Sequence, residues 1–445
     1  MRRNRSPVGV AGQGWADGPV NFMRILFLTE NFPPETNAAA TRVYERACYW
    51  AKWGHDVTII TSAPNFPHGR LFDGYRNSWR HVEMMDGLRV VRVKTYITAN
   101  QGTVRRTLDF LSFMVTASFA GLFEKRPDVV VSTSPQFFAA VGAWALAAVR
   151  RVPYVFELGD LWPASIVAVG AMRESFAIRW LERLELFLYR RSACVVALTH
   201  AFKKNLIGRQ INPGKIAVVI NGVDLWRYAP RPRDEDLTDA YNLVDKFVIG
   251  YVGTHGMAHG LTNVLDAAER LRERPDIAFL LAGAGAERAG LIADAEARGL
   301  KNVIFMEPQP KDRMPAVWSL CDVALVHLKD SPAFTEVIPS KIFEAMGMGL
   351  PIVLNMPAGE ASQILGADKA GVFVHPEDPD NLAQTAAVLA DNTKLRMALA
   401  ANSLAAAPGH SRETQAQHMI NVLQSVVSGN GHAVADIPIS APEMH

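Results

Sequence analysis

One pattern limits the fold of this chain more than any other. Short runs of β-branched and aromatic residues alternate with helix-period stretches, and the alternation runs twice. The first round has RILFLT (24–29), DVTIIT (56–61), RVVRV (89–93), DVVVS (128–132), YVFEL (154–158) and CVVAL (194–198). The second has KFVIGYVG (246–253), IAFLLAG (277–283), VIFM (303–306), VALVH (323–327), PIVL (351–354) and GVFV (371–374). Between them lie segments such as TRVYERACYWAKWG (41–54) and LTNVLDAAERLRER (261–274), which repeat apolar residues at helical spacing. Strands separated by helices predict a parallel sheet covered on both faces. Two rounds therefore predict an α/β chain of two doubly wound, Rossmann-like units facing across a cleft.

The units are expected to join near GRQINPGKIAVVING (208–222), where Asn, Pro and Gly cluster. The expected division is residues 23–210 and 211–410. A helix over 411–428 is expected to pack back on the first unit, and 429–445 forms a loose tail. Residues 1–22 are rich in Gly and Arg and lack the apolar core of a secretory signal. They are expected as a disordered extension or the product of an upstream start codon.

Composition serves mainly to exclude. A formal net charge of +2 over 445 residues gives no support to nucleic-acid binding. Cys48, Cys194 and Cys321 are odd in number and far apart, which predicts reduced thiols in the cytoplasm and no zinc site. No uncharged apolar run reaches transmembrane length. Two runs stand out, FLSFMVTASFAGLF (110–123) and FFAAVGAWALAAV (137–149). The second follows a strand and is expected in the core. The first is preceded by Arg105 and Arg106, and both core burial and contact with an anionic membrane surface fit it. RWLERLELFLYRR (179–191) is expected as a core-facing amphipathic helix.

The chemistry concentrates in EVIPSKIFEAMGMGLPIV (336–353). Pro339 cannot occupy a helix interior, so a helix is expected to begin near Ser340, a candidate N-cap. Glu336 then lies in the preceding loop and Glu344 in the second turn. A helix start favours an anion such as a diphosphate, and Lys341 adds charge. Carboxylates beside a phosphate site would repel it unless they bind hydroxyl groups instead. A diphosphate with a sugar at each end meets all these requirements, and a nucleotide sugar is such a molecule. In that reading Glu344 holds the ribose and Glu336 the transferred sugar. Taken alone, Glu344 reads as an ordinary solvated helix carboxylate, whereas Glu336 fits a ligand better than a loop surface charge.

This stretch resembles the E-x(7)-E element of retaining glycosyltransferases of the GT-B fold, family 4, which ends in E-A-M-A-x-G-x-P where this chain has EAMGMGLP. MRILFLTENFPPE, GHDVTIIT, INGVD (220–224), YVGTHGMAHGL (251–261) and LLAGAGAE (280–287) follow the family's order. VFELGDLWPASIVAVG and VIPSKIFEAMGMG resemble the branch that builds bacterial O-antigen, capsule and exopolysaccharide, including N-acetylfucosamine-type transferases. The resemblance implies that Glu336 touches the donor sugar and Glu344 the ribose. It also matches Gly253, Thr254, His255 and His259 to the family's diphosphate loop, G-R-x-x-x-x-K-G. There the chain departs: Thr254 takes the place of the arginine and His259 that of the lysine. Phosphate charge must then be met by backbone N–H groups, His259, Lys341 or Lys329. The family's His-Asp pair after the fifth strand is Gly159-Asp160 here. Asp160 fits an acceptor-side carboxylate or a helix cap equally well. Gly283 and Gly285 would bring backbone close to the nucleotide. Ala39 and Ala40 would allow close approach of the donor in the first strand-to-helix loop.

The resemblance implies transfer with retention, metal-free, with UDP expected as the nucleotide. The expected acceptor is a polyprenyl-linked or other saccharide at the cytoplasmic face of the inner membrane, with peripheral membrane contact. A nucleotide-sugar 2-epimerase and a non-catalytic nucleotide-sugar-binding protein remain the alternatives. A Rossmann dehydrogenase lacks its signature, because no GxGxxG follows the first strand.

Overall fold

The computed structural model describes residues 22–66, 68–98, 103–134, 137–161 and 175–429. The expectations for residues 1–21 and 430–445 lie outside these. The first sheet contains β1 (Arg24–Leu28), β2 (Asp56–Ser62), β3 (Arg80–Met85), β4 (Leu88–Val93), β5 (Val129–Thr133), β6 (Tyr154–Leu158), β7 (Cys194–Ala197) and β8 (Ile216–Val218). Its order is β3-β4-β2-β1-β5-β6-β7-β8, parallel except for the β3–β4 pair. The second contains β9 (Phe247–Val252), β10 (Ile277–Ala282), β11 (Val303–Met306), β12 (Val323–His327), β13 (Ile352–Asn355) and β14 (Gly371–Val374). It is ordered β11-β10-β9-β12-β13-β14 and is parallel throughout.

Why these runs are so apolar follows from the layers. A parallel strand is covered on both faces, so successive residues must both be hydrophobic. In β1, Ile25 and Phe27 join one core with Trp50, Met419 and Leu423, while Leu26 and Leu28 join the other with Phe113, Ala140 and Leu146. The Ala38–Lys52 and Arg412–Val427 helices thus cover one face. The Thr103–Leu122 and Phe137–Arg150 helices cover the other. Trp50 Nε1 donates to the Ala416 carbonyl at 3.0 Å, so the last described helix is fixed against the first unit. The second sheet repeats the scheme, with Val248 and Leu280 facing one core and Ile249 and Phe279 the other.

Two strands are absent from the sequence reading. β3 pairs only at its β4 side and is largely exposed, as suits a charged edge strand. β8 is three residues long and closes the first sheet beyond the division suggested at residue 210. The two sheets are tied at the edges of the groove between them. Thr199 Oγ1 donates to the Glu336 carbonyl at 3.1 Å, and His200 Nδ1 lies 2.7 Å from Glu360 Oε1. On another edge Glu45 of the first unit accepts from Arg227, Lys311 and Arg412 at 3.1, 2.9 and 3.0 Å. Cys48, Cys194 and Cys321 are unpaired. Among the described residues, no helix is long and apolar enough to cross a membrane.

Candidate functional site

The Lys341–Gly347 helix places the two charged residues of its own sequence on one face. Ile342, Phe343, Ala345 and Met346 are fully buried and fix its rotation. Lys341 and Glu344, at i and i+3, are left on the remaining face. Ser340 precedes the first turn, as expected, but its side chain makes no capping bond; its backbone is already helical. Its carbonyl instead accepts from the N–H groups of Phe343 and Glu344.

Lys341 is in an unusual position. Its Nζ is buried, has no hydrogen-bond partner among the described residues, and lies 3.9 Å from the centre of the Tyr251 ring. Gly253 lies directly beside it: a Cβ at that position would approach Nζ to 2.6 Å. Burial lowers the lysine pKa to about 8, against the opposing pull of Glu344. An ammonium this poorly solvated attracts any anion that can reach it.

The loops at the carboxyl ends of β9 and β10 form the wall around it. Gly253 (φ +156°) and Gly283 (φ +145°) adopt backbone conformations that side chains rarely take, and a Cβ on Gly283 would overlap the Gly253 carbonyl. The loops pair through Gly253 N to Ala282 O at 2.9 Å and His255 N to Ala284 O at 2.8 Å. Gly285 is pressed equally closely against the His255 carbonyl. Gly253, Thr254, Gly283, Gln309 and Met314 line a cavity of about 270 Å³, with Thr254 exposed at its rim.

Tyr251 gathers three of the expected residues. Lys341 sits over its ring, and the rings of His255 and His259 lie 5.9 Å away. His255 is fully buried with both ring nitrogens unpartnered among the described residues, and His259 Nδ1 is 3.4 Å from the His327 carbonyl. Burial first, then the charge of Arg288 and Lys341 on His255 and of Lys341 on His259, lower both pKa values to about 4. Both histidines are therefore neutral at pH 7, and His259 supplies hydrogen bonding but not a positive charge. Arg288, whose charge acts on His255, is engaged with Glu307 at 2.8 Å. Lys329 lies farther along the rim, its stem against Gly260 and its N–H on the Ala258 carbonyl.

Glu344 Oε2 accepts from Trp318 Nε1 at 3.0 Å. Burial raises the carboxyl pKa, and the indole bond and Lys341 partly offset that. The indole fixes one oxygen and leaves the carboxylate's other acceptor capacity unused by it. Glu336 ends the Pro332–Glu336 turn, half-buried at the groove, and its carboxylate has no protein hydrogen bond or ion pair among the described residues.

The first unit contributes differently. Asp160 N–H donates to Ser134 Oγ at 3.2 Å, and Asp160 is half-buried beyond β6; the helix it was expected to cap lies outside the described residues. Gly159 explains the missing histidine: a Cβ there would sit 2.7 Å from the Ser134 carbonyl and 2.8 Å from Arg42 Nη2. That space belongs to Arg42, which bonds Thr133 and pairs with buried Glu157, as Arg46 does. Burial raises the Glu157 pKa, but Arg46 and Arg42 outweigh it and hold it at about 2. Asn37 caps the first helix by accepting from Ala40 N–H at 2.9 Å. Ala40 is fully buried in the core, whereas Ala39 is partly exposed at the helix start. Sequence reasoning missed Tyr251, Trp318, Thr199 and Arg42, whose parts depend on partners remote in the chain.

Comparison with known proteins bears on the family and the fold. Residues 37–222 match the family described as glycosyl transferase 4-like domain, and residues 234–405 match glycosyl transferases group 1. The chain is 28% identical over 345 residues to WcaI of Escherichia coli, named as a putative colanic acid biosynthesis glycosyl transferase; the match covers 76% of this chain and 84% of that one. It is 24% identical to a GDP-mannose-dependent alpha-mannosyltransferase of Mycobacterium tuberculosis, covering 79% and 84%. In fold it is similar to a sucrose-phosphate synthase from Thermosynechococcus elongatus, with TM-score 0.71, 17% identity and coverage of 92% and 100%. It is also similar to Anabaena HepE in complex with UDP-glucose, with TM-score 0.67, 19% identity and coverage of 91% and 100%. Two facing parallel-sheet domains are the GT-B arrangement of these proteins.

Proposed function

We propose that this chain, whose residues 37–222 match the glycosyl transferase 4-like domain and residues 234–405 glycosyl transferases group 1, moves a sugar, with retention, from a nucleotide diphosphate sugar to a saccharide acceptor. The observation that carries this reading is Lys341, a buried, unpartnered ammonium beside the Gly253 loop. The loop's Thr254 and His259 lack the charge that the family places there. On sequence alone, that loss was the best support for the alternative of a protein that binds without catalysing. Lys341, packed beside Gly253, supplies the missing cation in this reading, which favours the transferase.

In the proposed reaction the diphosphate lies against Lys341 and the Gly253 and Gly283 backbone. Glu344, steadied by Trp318, accepts from the ribose hydroxyls, and Glu336 accepts from the transferred sugar. Ser340 donates a neutral hydrogen bond, the neutral His259 ring, with Nδ1–H towards the His327 carbonyl, presents Nε2 as an acceptor, and Asp160 faces the acceptor. The acceptor oxygen bonds to the anomeric carbon as the bond from that carbon to the phosphate oxygen breaks on the same face. The acceptor proton passes to the departing phosphate. Positioning and stabilisation of diphosphate charge provide the rate, with no carboxylate nucleophile and no metal ion. UDP is the proposed nucleotide and a lipid-linked saccharide the proposed acceptor. The setting is cell-surface polysaccharide synthesis at the cytoplasmic face of the inner membrane, in the N-acetylfucosamine-type branch.

Thermal-shift screening against UDP-, GDP-, ADP- and dTDP-sugars tests donor binding, because a ligand of the native state raises the melting temperature. One nucleotide class is expected to raise it. No shift with any of them would remove the donor site. Proton NMR of the product with the cognate donor then reads the anomeric configuration, and inversion would remove the retaining step. Sugar isomerisation without acceptor would assign the 2-epimerase alternative.

A further inference from the structure

The 110–123 run, for which both core and membrane surface fit the sequence, serves both. In the Thr103–Leu122 helix, Phe113, Ala117 and Ala120 point into the core. The opposite side carries Leu108, Val115, Phe119 and Leu122, with Phe123 just past the helix end. Their spacing of seven, four and three residues keeps them on one side of the helix. Val115, Phe119 and Phe123 are 61, 63 and 66% exposed, and Phe119 and Phe123 stack edge to face at 5.0 Å. Single exposed apolar residues need no explanation, but a row of five along about 22 Å of helix does.

The charges around this row are predominantly cationic, with Lys125 3.7 Å from the partly exposed Asp56. Arg105 and Arg106 are exposed at its start, and Lys125, Arg126 and Arg151 at its end. Arg150 joins them by donating to the Leu122 and Glu124 carbonyls, and this bond brings the exposed Val149 to the same end. Two other nearby carboxylates turn inward: Glu124 is buried on Arg80 and Arg89, and Asp109 is buried. An apolar row bounded by cations at both ends matches the interface of an anionic bilayer, with rings at the acyl boundary and cations among the phosphates.

We propose that this face of the first domain docks on an anionic lipid surface, the helix lying in the plane of the interface. The helix begins after β4, at the carboxyl ends of the parallel strands, so the row starts at the rim of the groove and runs away from it. Docked this way, the groove opens beside the headgroups, within reach of a lipid-linked saccharide. The inference deepens the acceptor reading above and rests on it only for that last step.

Co-sedimentation of the full chain with vesicles of phosphatidylglycerol and phosphatidylethanolamine at low salt tests it. Wild-type protein is expected in the pellet, released by 0.5 M salt, and left in solution with pure phosphatidylcholine. Phe119→Asp with Phe123→Asp should lose at least tenfold in vesicle affinity, and Lys125→Glu with Arg126→Glu should lose binding in low salt. The replaced side chains are exposed, so melting temperature and its shift by nucleotide sugar should match wild type. Failure of wild-type protein to pellet with anionic vesicles, or undiminished pelleting of the aspartate variant, would overturn the proposal and leave donor binding intact. A dimer by light scattering that the aspartate pair dissociates would assign the face to a second copy and overturn it also.

Discussion

Replacing Lys341 by methionine should stabilise the empty protein and weaken donor binding at once. Met keeps the length of the side chain and removes its charge. Burial lowers the lysine pKa from 10.5 to about 8. At pH 7 that shift corresponds to ~3 kcal/mol held against the folded state. Losing the contact with Tyr251 returns ~1 kcal/mol. The net gain of ~2 kcal/mol should raise the melting temperature by roughly 4–8 °C for a domain of this size. The sign follows from linkage. Between pH 8 and 10.5 the unfolded chain holds a proton on this lysine that the folded chain has released. Wild-type stability therefore recovers as pH rises through that window, and the methionine advantage fades across it. Donor affinity should move the other way, falling by about 10- to 100-fold with the lost charge-assisted bonds. Calorimetry of the empty protein at pH 7 and 9.5, with nucleotide titration at pH 7, reads both effects. A melting temperature lowered at pH 7, or unchanged donor affinity, would refute the idea that this ammonium waits uncompensated for an anion.

Glu344→Ala should cost about 10- to 100-fold in nucleotide affinity, with the chain still folded by circular dichroism; unchanged affinity would take Glu344 from the ribose. Glu336→Gln should lower kcat while affinity for the free nucleoside diphosphate stays within about twofold; equal loss of both would place Glu336 at the nucleotide instead. Gly283→Ala should lower stability by more than about 2 kcal/mol in denaturant melts, because its methyl overlaps the Gly253 carbonyl at a positive φ. For wild-type protein, donor affinity should decline above pH 8 as Lys341 loses its proton. It should not follow a transition near pH 6.5, because burial keeps His255 and His259 neutral down to about pH 4.

Most strands were legible because a strand covered on both faces must be apolar at every position, and 154–158, 303–306 and 371–374 coincide with the expected bounds. β3 was not, because RHVEMM carries charge at an exposed edge and shows no apolar period. β8 was hidden by the Asn212-Pro213-Gly214 turn before it, which reads as a linker. In the site, EAMGMGLP and the glycine loops marked the right place, since those residues are constrained locally. Trp318 was silent because its bond to Glu344 spans 26 residues and a buried indole reads as core. Arg42 was silent for the same reason: its partner Glu157 lies far along the chain, on β6, and the pairing shows only in space. The split over residues 110–123 had a physical cause as well. A helix with one apolar face inside and one outside has the same apolar residue content as a helix buried all round, so the run alone does not separate them.

The account stands on a nucleotide sugar lying across the start of the Lys341–Gly347 helix. The most direct measurement is a crystal structure of the chain soaked with the cognate donor. The account predicts the diphosphate within ion-pair distance of Lys341 Nζ, ribose hydroxyls on Glu344 and the sugar beside Glu336. A nucleoside bound against the first domain, or a diphosphate held away from Lys341, would contradict it.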